Sequence, residues 1–402
     1  MQAPLPIPPI TLHEAKQNIA VRHLEQLANL SLTREPSTAE PGPESEIPHG
    51  LFGSSSPYDD LVEWSKENAP QIKEAVKNRA FGGPDGSPIN WTNAFLPFME
   101  SATVYLRDSA KVVEATEAYK REDFETAFKL LDESTKQIQE IAALWGMKFQ
   151  LLCDLTESSS TWGSGPYCGA FYSDDPAAPF IGVGFKGTNI WNWKDLITDI
   201  NTTVVQAAEG NLYNTQVSDG VYSGLFGRHD PGRAIDLIRQ GINDLIPNIP
   251  NEHGKEVVTH VTGHSLGGSY SNLCYTQFTI PGVLPPMGVL GDLYTFGCPR
   301  IGYKDFAEAM RDHLGPHTGS AWRIGNKGDL VTQVPPVTPW THDSPFNHVD
   351  AGYRLYESDK PELLPSEIGT LTSGPDIWPP SKMTFTPHYA TTYYANLRKA
   401  TS

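Results

Sequence analysis

Charge is what this chain has little of. Of its 402 residues only 19% are Asp, Glu, Lys or Arg, and basic residues are the scarcer kind, 30 Lys and Arg against 47 Asp and Glu. The resulting formal charge of −17 repels nucleic acid and anionic membranes, which excludes both as default partners and fits an enzyme meeting a neutral, apolar substrate. Cysteine is equally sparse. Cys153, Cys168, Cys274 and Cys298 form no CxxC pair and no Cys/His set with zinc-ligand spacing, so a structural metal is not expected. Cys274 and Cys298 read as small buried side chains, while Cys153 and Cys168 stand near enough in sequence for a bridge, which the sequence leaves open. No apolar run reaches the ~18 residues of a membrane span. The opening Met1-Gln2-Ala3-Pro4-Leu5-Pro6 lacks the basic region and apolar core of a signal peptide, so the expectation is an intracellular chain or a mature form.

Glycine (35) and proline (34) are plentiful by contrast, which points to many turns and long surface connections rather than a coiled coil or repeat array. Residues 1–57 are Pro-rich, with a short helical pattern at 13–30, and read as wrapping or linker. Residues 58–140 read as a helical extension that could cap the rest. An amphipathic helix is expected at 58–78, and a single long one at 124–152, where Phe124, Phe128, Leu131, Thr135, Ile138, Ala142 and Trp145 make one stripe. Beyond it the texture changes to strand and turn. Runs at 168–173 and 180–185 flank an Asp/Pro-rich turn and predict a hairpin. Strand-like runs at 257–261, 293–296 and 321–324 alternate with helical patterns, which predicts a mixed, mostly parallel sheet over residues 141–402.

The chemistry is carried by Gly263-His264-Ser265-Leu266-Gly267-Gly268. A Gly-x-Ser-x-Gly run alone is weak. Here the β-branched Val257-Val258-Thr259 precedes it and a helical pattern through Phe278 follows, which is the strand–turn–helix context of a nucleophile elbow. Such a turn lifts the Ser265 hydroxyl above the sheet at the positive end of a helix and aims the Leu266 N–H at a developing oxyanion. This is the arrangement of an α/β-hydrolase fold, here with an N-terminal helical extension. Such folds supply the acid and then the histidine after the serine. Asp292 precedes its strand and is at the wrong end. Asp329, beyond the strand 321–324, is at the right one, with Asp343 and Asp350 as fallbacks. His342, His348 and His388 follow, and spacing alone leaves His348 and His388 both open as the base.

These residues resemble the fungal class 3 lipases, the Rhizomucor and Thermomyces type. The matching runs are Gly182-Val-Gly-Phe-Lys-Gly-Thr188 with Asn192-Trp193, the elbow itself, Tyr294-Thr-Phe-Gly-Cys-Pro-Arg-Ile-Gly302, and Asp329-Leu-Val-Thr-Gln-Val-Pro-Pro336. The resemblance implies Thr188 as second oxyanion donor beside Leu266, a lid over 189–199, and a structural role for His348. It implies His388, ahead of Tyr389, Tyr393 and Tyr394, as the base. Trp191, Trp193, Tyr222 and His264 are assigned to the lid and substrate pocket.

The expected function is hydrolysis of lipid esters through Ser265, His388 and Asp329 and an acyl-enzyme, with no cofactor and with transient contact with a lipid interface. Two features widen the choice of substrate. Residues 1–135 have no counterpart in compact family members, and the lid segment carries Lys194, Asp195 and Asp199. An esterase for aromatic or bulky esters, feruloyl esterase-like, and a hydrolase regulated through an N-terminal interaction module are the alternatives. The resemblance also implies secretion.

Overall fold

The computed structural model describes residues 10–32, 52, 56–84, 87–155, 165–187, 203–227, 232–252, 254–285, 287–314, 319–335, 346–349, 351–366, 368 and 385–401. Its frame is an eight-stranded sheet, built from β1 (Met147–Asp154), β2 (Tyr167–Ser173), β3 (Phe180–Lys186), β6 (Val257–His264), β7 (Gly288–Phe296), β8 (Ala321–Asn326), β9 (Gly352–Leu355) and β10 (Glu362–Leu363), in the order β1-β2-β3-β6-β7-β8-β9-β10. The remaining strands, β4 (Val204–Gln206) and β5 (Gln216–Ser218), pair antiparallel beside it. From β3 to β9 all neighbours are parallel, while β1, β2 and β10 run antiparallel, so the mixed sheet and the 168–185 hairpin are as expected. The central strands are apolar along most of their length because helices cover both faces.

One face is covered by the helices Leu12–Leu32, Asp219–Phe226, Ala234–Leu245, Leu266–Phe278 and Lys304–His313, which close a core around Val183, Phe185, Ile238, Val261 and Leu273. The other face is covered by Pro57–Glu67, Ala69–Lys77, Trp91–Thr103, Phe124–Glu133, Lys136–Leu144 and the C-terminal Ala390–Ala400, around Phe98, Phe171, Tyr294, Phe296 and Ile324. The helical extension is therefore one of the two layers of the fold, since without it the aromatic underside of the sheet would face water. Its helix Trp91–Thr103 is buried from Asn93 to Thr103. Polar groups fix its register. Thr262 Oγ1 donates to the Pro97 carbonyl at 2.9 Å, and Glu100 meets His260 Nε2 at 2.5 Å. Gly182 on β3 makes room for that pair, because a Cβ there would lie 2.3 Å from Glu100 Oε1.

Two helix expectations need correction. The 124–152 stripe is split into Phe124–Glu133 and Lys136–Leu144, and β1 has begun by Met147. At the break the Ser134 and Thr135 hydroxyls donate to the carbonyls of Leu131 and Asp132, offering the backbone an alternative to helix. Gly146, at φ +71°, then turns the chain into the sheet. The apolar stripe survives because Ala127, Leu131, Ile138 and Trp145 all face the same core. Likewise 58–78 is two helices broken at Asn68, whose side-chain amide donates to the Trp64 carbonyl and to the Tyr394 hydroxyl, each at 2.8 Å. Cys153 and Cys168 are cross-strand partners on β1 and β2, yet both thiols are free and buried.

Candidate active site

Strand β6 delivers the chain to Ser265, which takes φ +59° and ψ −132°, a conformation that costs a non-glycine residue strain and persists only where the surroundings impose it. The surroundings are specific. The Ser265 N–H donates to the Phe296 carbonyl at the end of β7 (2.9 Å), and the Gly268 N–H donates back to the Ser265 carbonyl (2.9 Å). Gly263 and Gly267 have no room for side chains: a Cβ on Gly263 would lie 2.3 Å from the Gly267 carbonyl oxygen, and one on Gly267 would lie 2.4 Å from the Phe185 carbonyl oxygen. Leu266 opens the helix Leu266–Phe278, so its N–H is among the first-turn donors that find no acceptor within the helix.

Asp329 stands beyond the end of β8, held by its N–H on the Asn326 carbonyl at 3.1 Å. Its carboxylate accepts from three sides: His388 Nδ1 at 2.9 and 3.0 Å, the Tyr393 hydroxyl at 2.7 Å and the Val331 N–H at 3.0 Å. His388 Nδ1–H thereby donates to the carboxylate, and this tautomer leaves Nε2 as the basic nitrogen. Ser265 Oγ and His388 Nε2 are both buried and have no hydrogen-bond partner among the described residues. Gly297, at φ +62°, passes directly beneath the pair, and a Cβ there would stand 2.8 Å from His388 Cε1 and 2.9 Å from Asp329 Oδ2.

His348 is placed differently. Its Nε2 donates to the Thr332 carbonyl at 2.7 Å, and burial, with Arg323 and Arg300 nearby, pushes its pKa well down. Two of the residues assigned to the lid and pocket are described. His264 is 2% exposed and engaged at both ring nitrogens, by the Tyr105 hydroxyl at Nδ1 and the His388 carbonyl at Nε2. The Tyr222 hydroxyl accepts from the Ala208 N–H and the Asn211 amide, and its ring stacks on Phe226, which ties it to the β4–β5 connection. Thr188, Trp191 and Trp193, with the rest of the 189–199 segment, lie outside the described residues, as do His342, Asp343 and Asp350. Asp292 lies inside β7, where it accepts from the Gly82 N–H, Trp322 Nε1 and the Ser320 N–H, a structural anchor for the loop before Trp91.

Tyr105, Tyr393 and Gly297 were missed as site residues. Tyr105 precedes its partner His264 by 159 positions, and no local pattern links the two. Tyr393 stood in the aromatic run after His388, but only the docked helix Ala390–Ala400 shows which tyrosine reaches Asp329.

Residues 182–338 match the sequence model of the Lipase (class 3) family. A secreted mono- and diacylglycerol lipase of Fusarium solani is 34% identical over 93 residues, 23% of this chain and 25% of its own length. A Caenorhabditis elegans lipase is 36% identical over 76 residues, 19% of this chain and 20% of its own. The chain thus aligns with about a quarter or less of these relatives. Among solved structures, lipase II from Rhizopus niveus overlaps 73% of this chain and 93% of its own at 19% identity, with a TM-score of 0.44. Among the described residues no helix is long and apolar enough to cross a membrane. The stretch that carries Ser265 and Asp329 is thus similar to the class 3 lipase family, and it is set in a mixed, mostly parallel sheet.

Proposed function

We propose that the chain hydrolyses carboxylic esters of lipids, with Ser265 as nucleophile, His388 as general base and Asp329 as the acid that orients it. The observation that carries this reading is the pairing of His388 Nδ1 with Asp329, while His388 Nε2 and Ser265 Oγ are both buried and without a hydrogen-bond partner among the described residues. In the acylation step His388 Nε2 takes the Ser265 proton as Oγ bonds to the ester carbonyl carbon. The Leu266 N–H, and by sequence Thr188, receive the oxyanion; His388 then protonates the departing alcohol. Water, deprotonated by His388, attacks the acyl-enzyme, and the carboxylic acid leaves as Ser265 recovers its proton.

Lipid esters are the substrate class favoured by the names of the relatives, and a chain with few basic residues suits a neutral, apolar substrate. A transient contact with the lipid interface is part of the proposal, because Ser265 is fully buried and a lipid ester must reach it. Turnover of p-nitrophenyl butyrate, tributyrin, olive oil and methyl ferulate by wild type and Ser265→Ala tests the reading. Loss of all ester turnover in Ser265→Ala, with glycerides preferred over ferulate in wild type, is expected. Undiminished turnover by Ser265→Ala sinks the mechanism, and preference for methyl ferulate sinks the substrate class.

A further inference from the structure

The helix Trp91–Thr103 ends in a short turn, Val104–Leu106, which carries Tyr105 into the heart of the site. There three hydrogen bonds run in one direction. The Gly187 N–H donates to Tyr105 Oη at 3.1 Å. Tyr105 Oη–H faces His264 Nδ1 at 3.1 Å, and His264 Nε2 faces the His388 carbonyl at 3.0 Å. A carbonyl can only accept, so the His264 proton sits on Nε2. Nδ1 must then accept, which obliges the Tyr105 hydroxyl to donate. Burial agrees with these states, since it pushes the Tyr105 hydroxyl pKa up and the His264 imidazole pKa well down, with His388 adding to the latter. Gly187 is required by the same contact: a Cβ there would lie 2.3 Å from Tyr105 Oη, 2.6 Å from the His264 carbonyl oxygen and 2.9 Å from Ser265 Cβ.

We propose that Tyr105 and His264 are positioning residues for the hydrolysis, a buried relay that fixes the backbone at the end of β3 and the backbone of His388 relative to the Ser265 turn. Three segments meet through it, each from a different part of the chain, and the N-terminal helical layer supplies the link. Bonds aligned head to tail polarise one another, so removing one member weakens the rest. The rings of His264 and His388 are 4.6 Å apart, so a shift of the first is passed directly to the second. This inference rests on the reading of Ser265 and His388 given above.

The test is kinetic, on full-length protein, with kcat and KM for p-nitrophenyl butyrate normalised to sites titrated by an alkyl phosphonate, which counts only folded protein. Tyr105→Phe and His264→Leu are each expected to lower kcat about tenfold with KM nearly unchanged. The double variant should be no slower than His264→Leu, as members of one chain are non-additive. His264→Gln, which keeps a donor for the His388 carbonyl, should exceed His264→Leu by about threefold or more. Additive losses, equal rates for His264→Gln and His264→Leu, or a wild-type kcat in Tyr105→Phe overturn the relay. A wild-type protein whose Ser265 the phosphonate does not label overturns the nucleophile assignment instead, so the two failures are distinguishable.

Discussion

Gly297→Ala adds one methyl group and removes no functional atom, and its effect can be worked from the site. The new Cβ would lie 2.8 Å from His388 Cε1, 2.9 Å from His388 Nδ1 and 2.9 Å from Asp329 Oδ2. Carbon atoms settle near ~3.5 Å, so the imidazole or the carboxylate must retreat by about 0.7 Å. The His388–Asp329 bonds are 2.9 and 3.0 Å long. A retreat of that size takes them to about 3.6 Å, where a hydrogen bond no longer counts as one. Displacements approaching 1 Å cost about 10²-fold in rate. The left-handed backbone, φ +62°, adds about 1–2 kcal/mol of instability for a residue with a Cβ. The expected variant is folded, melts a few degrees lower and turns over p-nitrophenyl butyrate about 10²-fold more slowly, with KM little changed. Kinetics per titrated site, with thermal unfolding alongside, checks this. A kcat close to wild type would mean that the His388–Asp329 pair tolerates displacement and does not set the rate.

Three further outcomes follow from the packing. His23, His264 and His348 are buried with lowered pKa values; the unfolded chain binds their protons below pH ~6.5 and the folded one resists, so stability is full above that pH and falls below it. Each contributes a slope of up to about 1.4 kcal/mol per pH unit, and His348→Gln should flatten the loss in denaturant titrations at pH 7.5, 6.5 and 5.5 (values about one unit apart, chosen to bracket the unperturbed imidazole) while keeping kcat; an unchanged slope counts against the buried neutral state. Trp64→Ala removes a ring stacked on Tyr394 with centroids 4.2 Å apart, and should cost about 3–5 kcal/mol in urea unfolding; a loss under about 1 kcal/mol would show that the C-terminal helix docks without it. Deleting residues 10–144 should leave an insoluble product, because Phe149, Phe171, Phe180 and Phe296 lose their cover; a soluble, phosphonate-labelled remainder would show that the helical layer is dispensable.

The layer explains why 58–140 was hard to read. A cap and a sheet-covering layer present the same amphipathic stripes. Only the buried polar contacts distinguish them, Thr262 on Pro97, Glu100 on His260, Gly82 on Asp292, and each joins residues more than 150 positions apart. The helix breaks at Thr135 and Asn68 were obscured for a related reason. A short kink leaves the apolar spacing almost intact, so the stripe outlasts the helix that it was taken to mark.

What the sequence by itself determined is local: a β-branched strand, two glycines too crowded to carry side chains, a serine between them and a helix after it. The strand, the turn and the helix are contiguous in the chain, so the residue types at those positions suffice to mark them. The hairpin of β2 and β3 and the parallel strands that follow were legible on the same terms, by pattern and length. Tertiary structure alone decided which groups meet. It set His388 on Asp329 and His348 on Thr332, although spacing allowed either histidine as the base. It also brought Tyr105 to His264 and His264 to the His388 carbonyl. Such choices depend on where the ends of β3, β7 and β8 and the C-terminal helix lie in the sheet's frame, and that frame is set by two cores assembled from the whole chain.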